Sequence, residues 1–289
     1  MQHPKGYLIA IGGAEDKGSE EERQRQNSLD FFKQGILNQI VELSGKKSDP
    51  KIEMITTAST IPDEVAQTYK KAFKKLGCVD IGHLRITNRE DAENKKFLDR
   101  LEKCNCILLS GGDQLRLSSV LGGTTFLDIA REKYFSTHFI IAGTSAGAAA
   151  MSNTMISGGE EDKAYLKGKV SLSIGLGFLQ EVIIDTHFDA RGRFGRLVQA
   201  IAAQPGAVGV GLDEDTGIIV EKGHKLKAIG SGCVIIVDGS EVTHNNIADI
   251  RAGMPISVAN LQVNIMTHSD AYDLETREFT GVKFSLHES

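Results

Sequence analysis

The sequence predicts an α/β fold, a mostly parallel sheet with helices on both faces, followed by an antiparallel C-terminal extension. Three observations carry this reading. Four apolar runs in the first half each end in a polar or glycine-rich loop, segments of helical period fall between and after them, and beyond about residue 207 the chain turns to short strands with glycine-containing turns. Near-continuous runs of β-branched and leucine residues mark strands buried on both faces, and such burial belongs to parallel sheets covered by helices.

Taken in order, Tyr7-Leu8-Ile9-Ala10-Ile11 runs into Gly12-Gly13, and Ile52-Glu53-Met54-Ile55 into Thr56-Thr57-Ala58-Ser59. Ile107-Leu108-Leu109 then runs into Ser110-Gly111-Gly112, and Phe139-Ile140-Ile141 into Gly143-Thr144-Ser145-Ala146-Gly147. Ligands of such sheets gather beyond the C-terminal strand ends, so these loops are expected to converge on one crevice. Asp63 to Leu76 is read as a helix with Val65, Tyr69, Ala72, Phe73 and Leu76 on one face. A second helix from Phe194 places Leu197, Val198 and Ile201 together and stops at Pro205-Gly206. The runs 208–212, 216–220 and 233–237 are read as short strands.

No linker, charge block or repeat divides the chain, which has only 5 prolines, so residues 1–289 are read as a single α/β domain with about 240–289 as its C-terminal extension. A hydrophobic content of 40% with 25% charged residues is that of a globular protein, and the net charge of −5 offers no footprint for nucleic acid. Met1 to Gly6 leads straight into the first apolar run without a signal-type core, and no apolar stretch reaches the roughly eighteen residues of a membrane span. A cytoplasmic location with no membrane partner is expected. Cys78, Cys104, Cys106 and Cys233 have neither C-x-x-C nor zinc-finger spacing and are read as core filler.

Chemistry is suggested first by Gly143-Thr144-Ser145-Ala146-Gly147, a G-x-S-x-G run at a strand-to-helix junction. Such a turn lifts the serine hydroxyl clear of the sheet and leaves the next amide, that of Ala146, free to face an oxyanion. The bland alternative is a glycine-rich turn packing helix on strand. Serine needs a base, and among 8 histidines His187 stands out because it ends the apolar run 182–186. The base needs a carboxylate. Both the acidic turn Asp213-Glu214-Asp215 and Asp185, two residues before His187, qualify, and spacing does not decide between them. Arg191, Arg193 and Arg196 crowd together, as guanidinium forks for an anionic ligand would, or as a solvated helix start with salt bridges would. In Ser110-Gly111-Gly112-Asp113-Gln114 two glycines let amides approach a reacting oxygen, and Gln114 offers both donor and acceptor. The loop Glu15-Asp16-Lys17-Gly18 reaches toward the same crevice.

Together, the blocks Gly12 to Lys17, Ser110 to Gln114, Gly143 to Ala148, Asp185 to Phe188 with the three arginines, and Gly211 to Thr216 resemble the cyanophycinases. These are serine-type peptidases with a flavodoxin-like, class I glutamine-amidotransferase-like core, related to the aspartyl dipeptidases. The resemblance implies Ser145 as nucleophile, His187 as base and Glu214 as its partner. It implies Gly112 and Ala146 as oxyanion donors, and Gln114, Asp185, Arg191, Arg193 and Arg196 lining the substrate site. It further implies an exopeptidase that releases β-aspartyl-arginine dipeptides from cyanophycin through an acyl-enzyme, acting as a homodimer without cofactor or metal. Glu160-Glu161-Asp162 is expected to meet the substrate's arginine groups. Ala14 stands where the family carries glycine. The alternatives are an aspartyl dipeptidase of the same family and, from another class, a catalytically silent anion-binding protein.

Overall fold

A computed structural model describes residues 3–23, 29–45 and 50–282. Strands β1 (Tyr7–Ile11), β2 (Ile52–Ile55), β3 (Ile81–Leu84), β4 (Cys106–Leu109) and β5 (Ile140–Thr144) are parallel, in the order β1-β5-β4-β2-β3. Alternation along β1 sends Leu8 and Ala10 into one core and Ile9 and Ile11 into the other. The helices α1 (Glu20–Arg23), α2 (Ile36–Leu43), α3 (Pro62–Lys75), α4 (Lys95–Lys103), α5 (Gln114–Leu121), α6 (Thr125–Ser136), α7 (Ala146–Ala149) and α8 (Phe194–Ala203) complete the first two-thirds of the fold. Residues of α2 and α3 fill the core behind Ile9, and those of α4, α5 and α6 fill the core behind Leu8, so helices cover both faces. Local chemistry sets their ends. Pro62, Asp63 and Glu64 open α3 while Lys74 and Lys75 close it, in agreement with the helix dipole. Asn94, Asp113 and Thr124 cap α4, α5 and α6 through side-chain oxygens.

The second half carries the expected antiparallel strands but divides them between sheets. After the hairpin β6 (Thr154–Gly159) and β7 (Val170–Ile174), strands β8 (Val182–Thr186) and β9 (Val208–Leu212) pair in parallel and begin a second sheet. Strands β10 (Thr216–Glu221) and β11 (Lys225–Gly230) return to the first sheet, antiparallel beside β1, and β12 (Val234–Asp238) goes back to β9. The short strands after residue 207 are therefore dealt alternately to two sheets. Their apolar runs signal burial without saying on which neighbour, since β9 and β10 are both buried almost throughout. Asp213-Glu214-Asp215 is the step from one sheet to the other.

The C-terminal segment supplies edges. After the small pair β13 (His244–Asn245) and β14 (Val258–Ala259), β15 (Gln262–Met266) covers β12, completing the sheet β15-β12-β9-β8. Strands β16 (Ala271–Asp273) and β17 (Glu278–Thr280) extend the first sheet beyond β11 to nine strands. Residues 283–289 of the expected extension lie outside the described residues. Among the described residues no helix is long and apolar enough to cross a membrane.

Candidate active site

Ser145 sits between β5 and α7 at φ 50° and ψ −113°, a conformation that L-residues rarely adopt. The flanking glycines are required by space: a Cβ on Gly143 would lie 2.6 Å from the Gly147 backbone, and one on Gly147 2.2 Å from the Leu109 carbonyl oxygen. The helix that follows is a single turn, four residues long, rather than an extended one. Among the described residues the amide of Ala146 donates to no protein acceptor, nor does that of Gly112. Gly111 faces the serine, and Gly112, at φ 137°, passes so close to the Ala58 carbonyl that no side chain would fit.

His187 stands one residue past β8, also at positive φ. Its Nε2 is 3.1 Å from Ser145 Oγ and its Nδ1 is 2.7 Å from Glu214 Oε1. A carboxylate at Nδ1 accepts the ring proton there, which leaves the Nε2 lone pair toward the serine hydroxyl. The three acids of the turn are thus distinguished by their partners. Asp213 accepts from the amides of Asp189 and Cys233, Asp215 accepts from the Asp16 amide and the Ser231 hydroxyl, and Glu214 reaches the imidazole. Asp185 does not meet the imidazole: the strand ends at Thr186, His187 follows at positive φ, and the Asp185 carboxylate bonds Arg193 and Arg196.

Asp185 instead lies 2% exposed and receives a two-pronged contact from Arg196, at 2.6 Å to Oδ2 and 2.8 Å to Oδ1. Arg193 adds its guanidinium to the same carboxylate at 3.4 Å, to the Thr186 carbonyl at 2.6 Å and to Glu161 at 3.3 Å. Burial lowers the Arg193 guanidinium from its usual value, opposed by the charge of Asp185. Arg193 and Arg196 are therefore buried in salt bridges, as the second reading has it, but without its solvation; Arg191 is the exposed member. Of the expected acidic patch, Glu160 is taken by Lys163 and Lys169, which pull its carboxyl down to about 2, and Glu161 by Arg193 and Arg196. Gln114 is partly buried and donates to the Ile156 carbonyl at 3.0 Å.

The serine and histidine open onto a cleft of about 380 Å³, whose walls include Lys17, Ile61, Glu64, Val65 and Gly111. Residues 22–228 match the family model for peptidase family S51. A cyanophycinase of Synechococcus elongatus is 39% identical over 274 residues, covering 95% of this chain and 81% of that protein. One of Geminocystis herdmanii is 34% identical, covering 96% of this chain and 97% of its own. The chain belongs to peptidase family S51. A peptidase from an acI-B1 Actinobacterium shares the fold at a TM-score of 0.65 and 19% identity, covering 94% of this chain and 98% of its own.

Two features of this S51 peptidase escaped the sequence reading. Glu15 is a buried residue of the cleft lining, held against Tyr69, Thr144 and Lys17, where the sequence shows a motif block and a loop in reach of the crevice without a role for this side chain. Ala14, on the cleft wall, has φ 48°, a left-handed conformation that favours glycine. A grouping of metal-ligand type among the described residues, His3, His224 and Glu275, lies beyond the far end of β10, away from the cleft.

Proposed function

We propose that this S51 peptidase is a cyanophycinase in which Ser145, His187 and Glu214 form the catalytic triad. The observation that carries the reading is the unbroken hydrogen-bonded chain from Glu214 through His187 to Ser145, opening on the cleft. In this mechanism Ser145 Oγ attacks a backbone carbonyl of the polymer while His187 Nε2 takes its proton. The oxyanion is met by the amides of Ala146 and Gly112. His187 then returns the proton to the leaving amine, and water, activated by the same imidazole, releases the acyl group from Ser145.

Arg191 is the guanidinium left to meet a substrate carboxylate, with Gln114 beside the loop that carries Gly112. Arg193, Arg196 and Asp185 act behind it, holding the segment that follows His187. For the substrate's own arginine groups the reading turns from residues 160–162 to Glu64, an exposed cleft carboxylate with no ion pair among the described residues. Release from a chain end, a homodimeric state and the working of residues 1–289 as one domain, with 240–289 as its edge extension, belong to the same proposal.

The test is to incubate the protein and its Ser145→Ala variant with insoluble cyanophycin and with simple aspartyl dipeptides, and to identify what is released. β-Aspartyl-arginine from the wild type, with a loss of about a million-fold in the variant, is the expected outcome. Turnover of dipeptides alone would make it an aspartyl dipeptidase. Binding without turnover of either would leave the silent anion-binding reading.

A further inference from the structure

The end of β1 and the two glycines after it touch two members of the triad and the neighbour of the third through their backbone. The carbonyl of Ile11 accepts from the Ser145 amide at 2.9 Å, that of Gly12 from the His187 amide at 2.9 Å, and that of Gly13 from the amide of Asp215, next to Glu214, at 2.8 Å. Three successive carbonyls thus set the register of β5, of the end of β8 and of the step between β9 and β10. Contact with the imidazole is close as well: a Cβ on Gly13 would stand 2.5 Å from the His187 ring.

Ala14 then reverses the chain at positive φ, and Glu15 points inward, 1% exposed. Its carboxylate accepts from the Tyr69 hydroxyl and, at 2.7 Å, from Thr144 Oγ1, while Lys17 Nζ lies 3.3 Å away. Thr144 is the residue before the nucleophile. Burial pushes the Glu15 carboxyl up, yet the Lys17 charge and the hydrogen bonds from Tyr69 and Thr144 outweigh it and hold the group below its ordinary value. A carboxylate kept charged this deep in a protein is costly without such partners, and its placement joins three elements at one point.

We propose that Glu15 is a positioning residue for the S51 triad: its buried carboxylate anchors the segment Ile11 to Asp16, whose carbonyls register Ser145, His187 and, through the neighbouring Asp215, Glu214, and through Thr144 it holds the end of the nucleophile's strand. This rests on the reading of Ser145 as nucleophile. In this role Glu15 acts through the geometry of Ser145, His187 and Glu214. A misplacement of an ångström at such a site costs about a hundredfold in rate.

The experiment first labels the wild type with a small fluorophosphonate and maps the modified residue, then measures kcat, KM and the phosphonylation rate of Glu15→Gln, Thr144→Val and Thr144→Ser. Soluble β-aspartyl-arginine oligomers serve as substrate. Expected are losses of about tenfold to a hundredfold in kcat for Glu15→Gln and Thr144→Val, with KM within about twofold. Phosphonylation slows in parallel, and Thr144→Ser, which keeps the hydroxyl, restores both rates. A merely structural carboxylate would lower the melting temperature and leave the rates of the folded enzyme alone. Folded Glu15→Gln and Thr144→Val with wild-type rates overturn the positioning role; if Glu15→Gln fails to fold, the two Thr144 variants decide. Wild-type protein unlabelled at Ser145 would overturn the nucleophile reading instead, and the positioning role with it.

Discussion

At the residue scale, the two carboxylates that spacing does not rank have different environments and therefore different expected losses. Glu214 faces His187 with its side chain 45% exposed, so Glu214→Gln should leave stability nearly unchanged. It should lower kcat by about 10³- to 10⁴-fold, because an amide no longer holds the imidazole in the required tautomer. Asp185→Asn removes the counter-charge from the buried Arg196 guanidinium and should cost about 3–5 kcal/mol in the urea unfolding free energy. Urea titration and steady-state kinetics on both variants check this. A stable Asp185→Asn with crippled turnover, beside an active Glu214→Gln, would reverse the assignment. Residue types at 185, 193 and 196 were legible, but whether they faced solvent was not. Crowded arginines look alike in sequence whether they await a ligand or, as here, pair with a buried aspartate.

The segment Gly12 to Glu22 makes the same point for an element. Its glycines were visible as punctuation, and Ser19-Glu20-Glu21-Glu22 carries a capping-box signature that the structure forms, with Ser19 Oγ accepting from the Glu22 amide and Glu22 from the Ser19 amide. What the pattern did not contain was the function of the segment as a backbone template for three distant stretches of chain. Ala14 offers a measurement. A left-handed conformation costs an L-residue roughly 1–2 kcal/mol, and glycine's extra chain entropy costs roughly 0.5–1, so Ala14→Gly should stabilise the fold by about 0.5–1 kcal/mol. Chemical denaturation reads this directly. A destabilised variant would mean that the methyl group contributes more by packing than the backbone loses by strain.

Over the whole molecule, the C-terminal extension is fastened by carboxylates. Asp238 accepts from the Tyr272 hydroxyl at 2.9 Å and Arg277 at 2.6 Å, Asp270 from the amides of Thr267 and Val282, and Asp273 faces His224 at 3.2 Å. Burial raises each carboxyl, but the hydrogen bonds prevail and hold all three below the ordinary aspartate value. With folded values below unfolded ones, the unfolded chain binds more protons as pH falls. Their stabilisation is full above about pH 3.9 and is lost as pH drops through the folded values. Glu53, raised by burial against the pull of Arg100, has the opposite sign and favours the fold less as pH rises through its own window. The urea midpoint should therefore fall below about pH 4, and Asp238→Asn should lower the plateau while flattening that acid slope. An unchanged slope in Asp238→Asn would remove Asp238 from the account.

The sequence by itself determined the parallel half of the fold, the elbow at Ser145 and His187 as its candidate base, because burial on both faces, a forced turn and a strand end are local conditions written in adjacent residues. Tertiary structure alone decided that the strands after 207 divide between two sheets, and it brings to the imidazole the Glu214 that the family resemblance implies and spacing leaves open. It alone turned Arg193 and Arg196 inward and made Glu15 a buried anchor. Each of these depends on which hydrogen-bonding group comes within about 3 Å of another across many tens of residues. A local pattern specifies that a polar group needs a partner without specifying which partner the folded chain will supply.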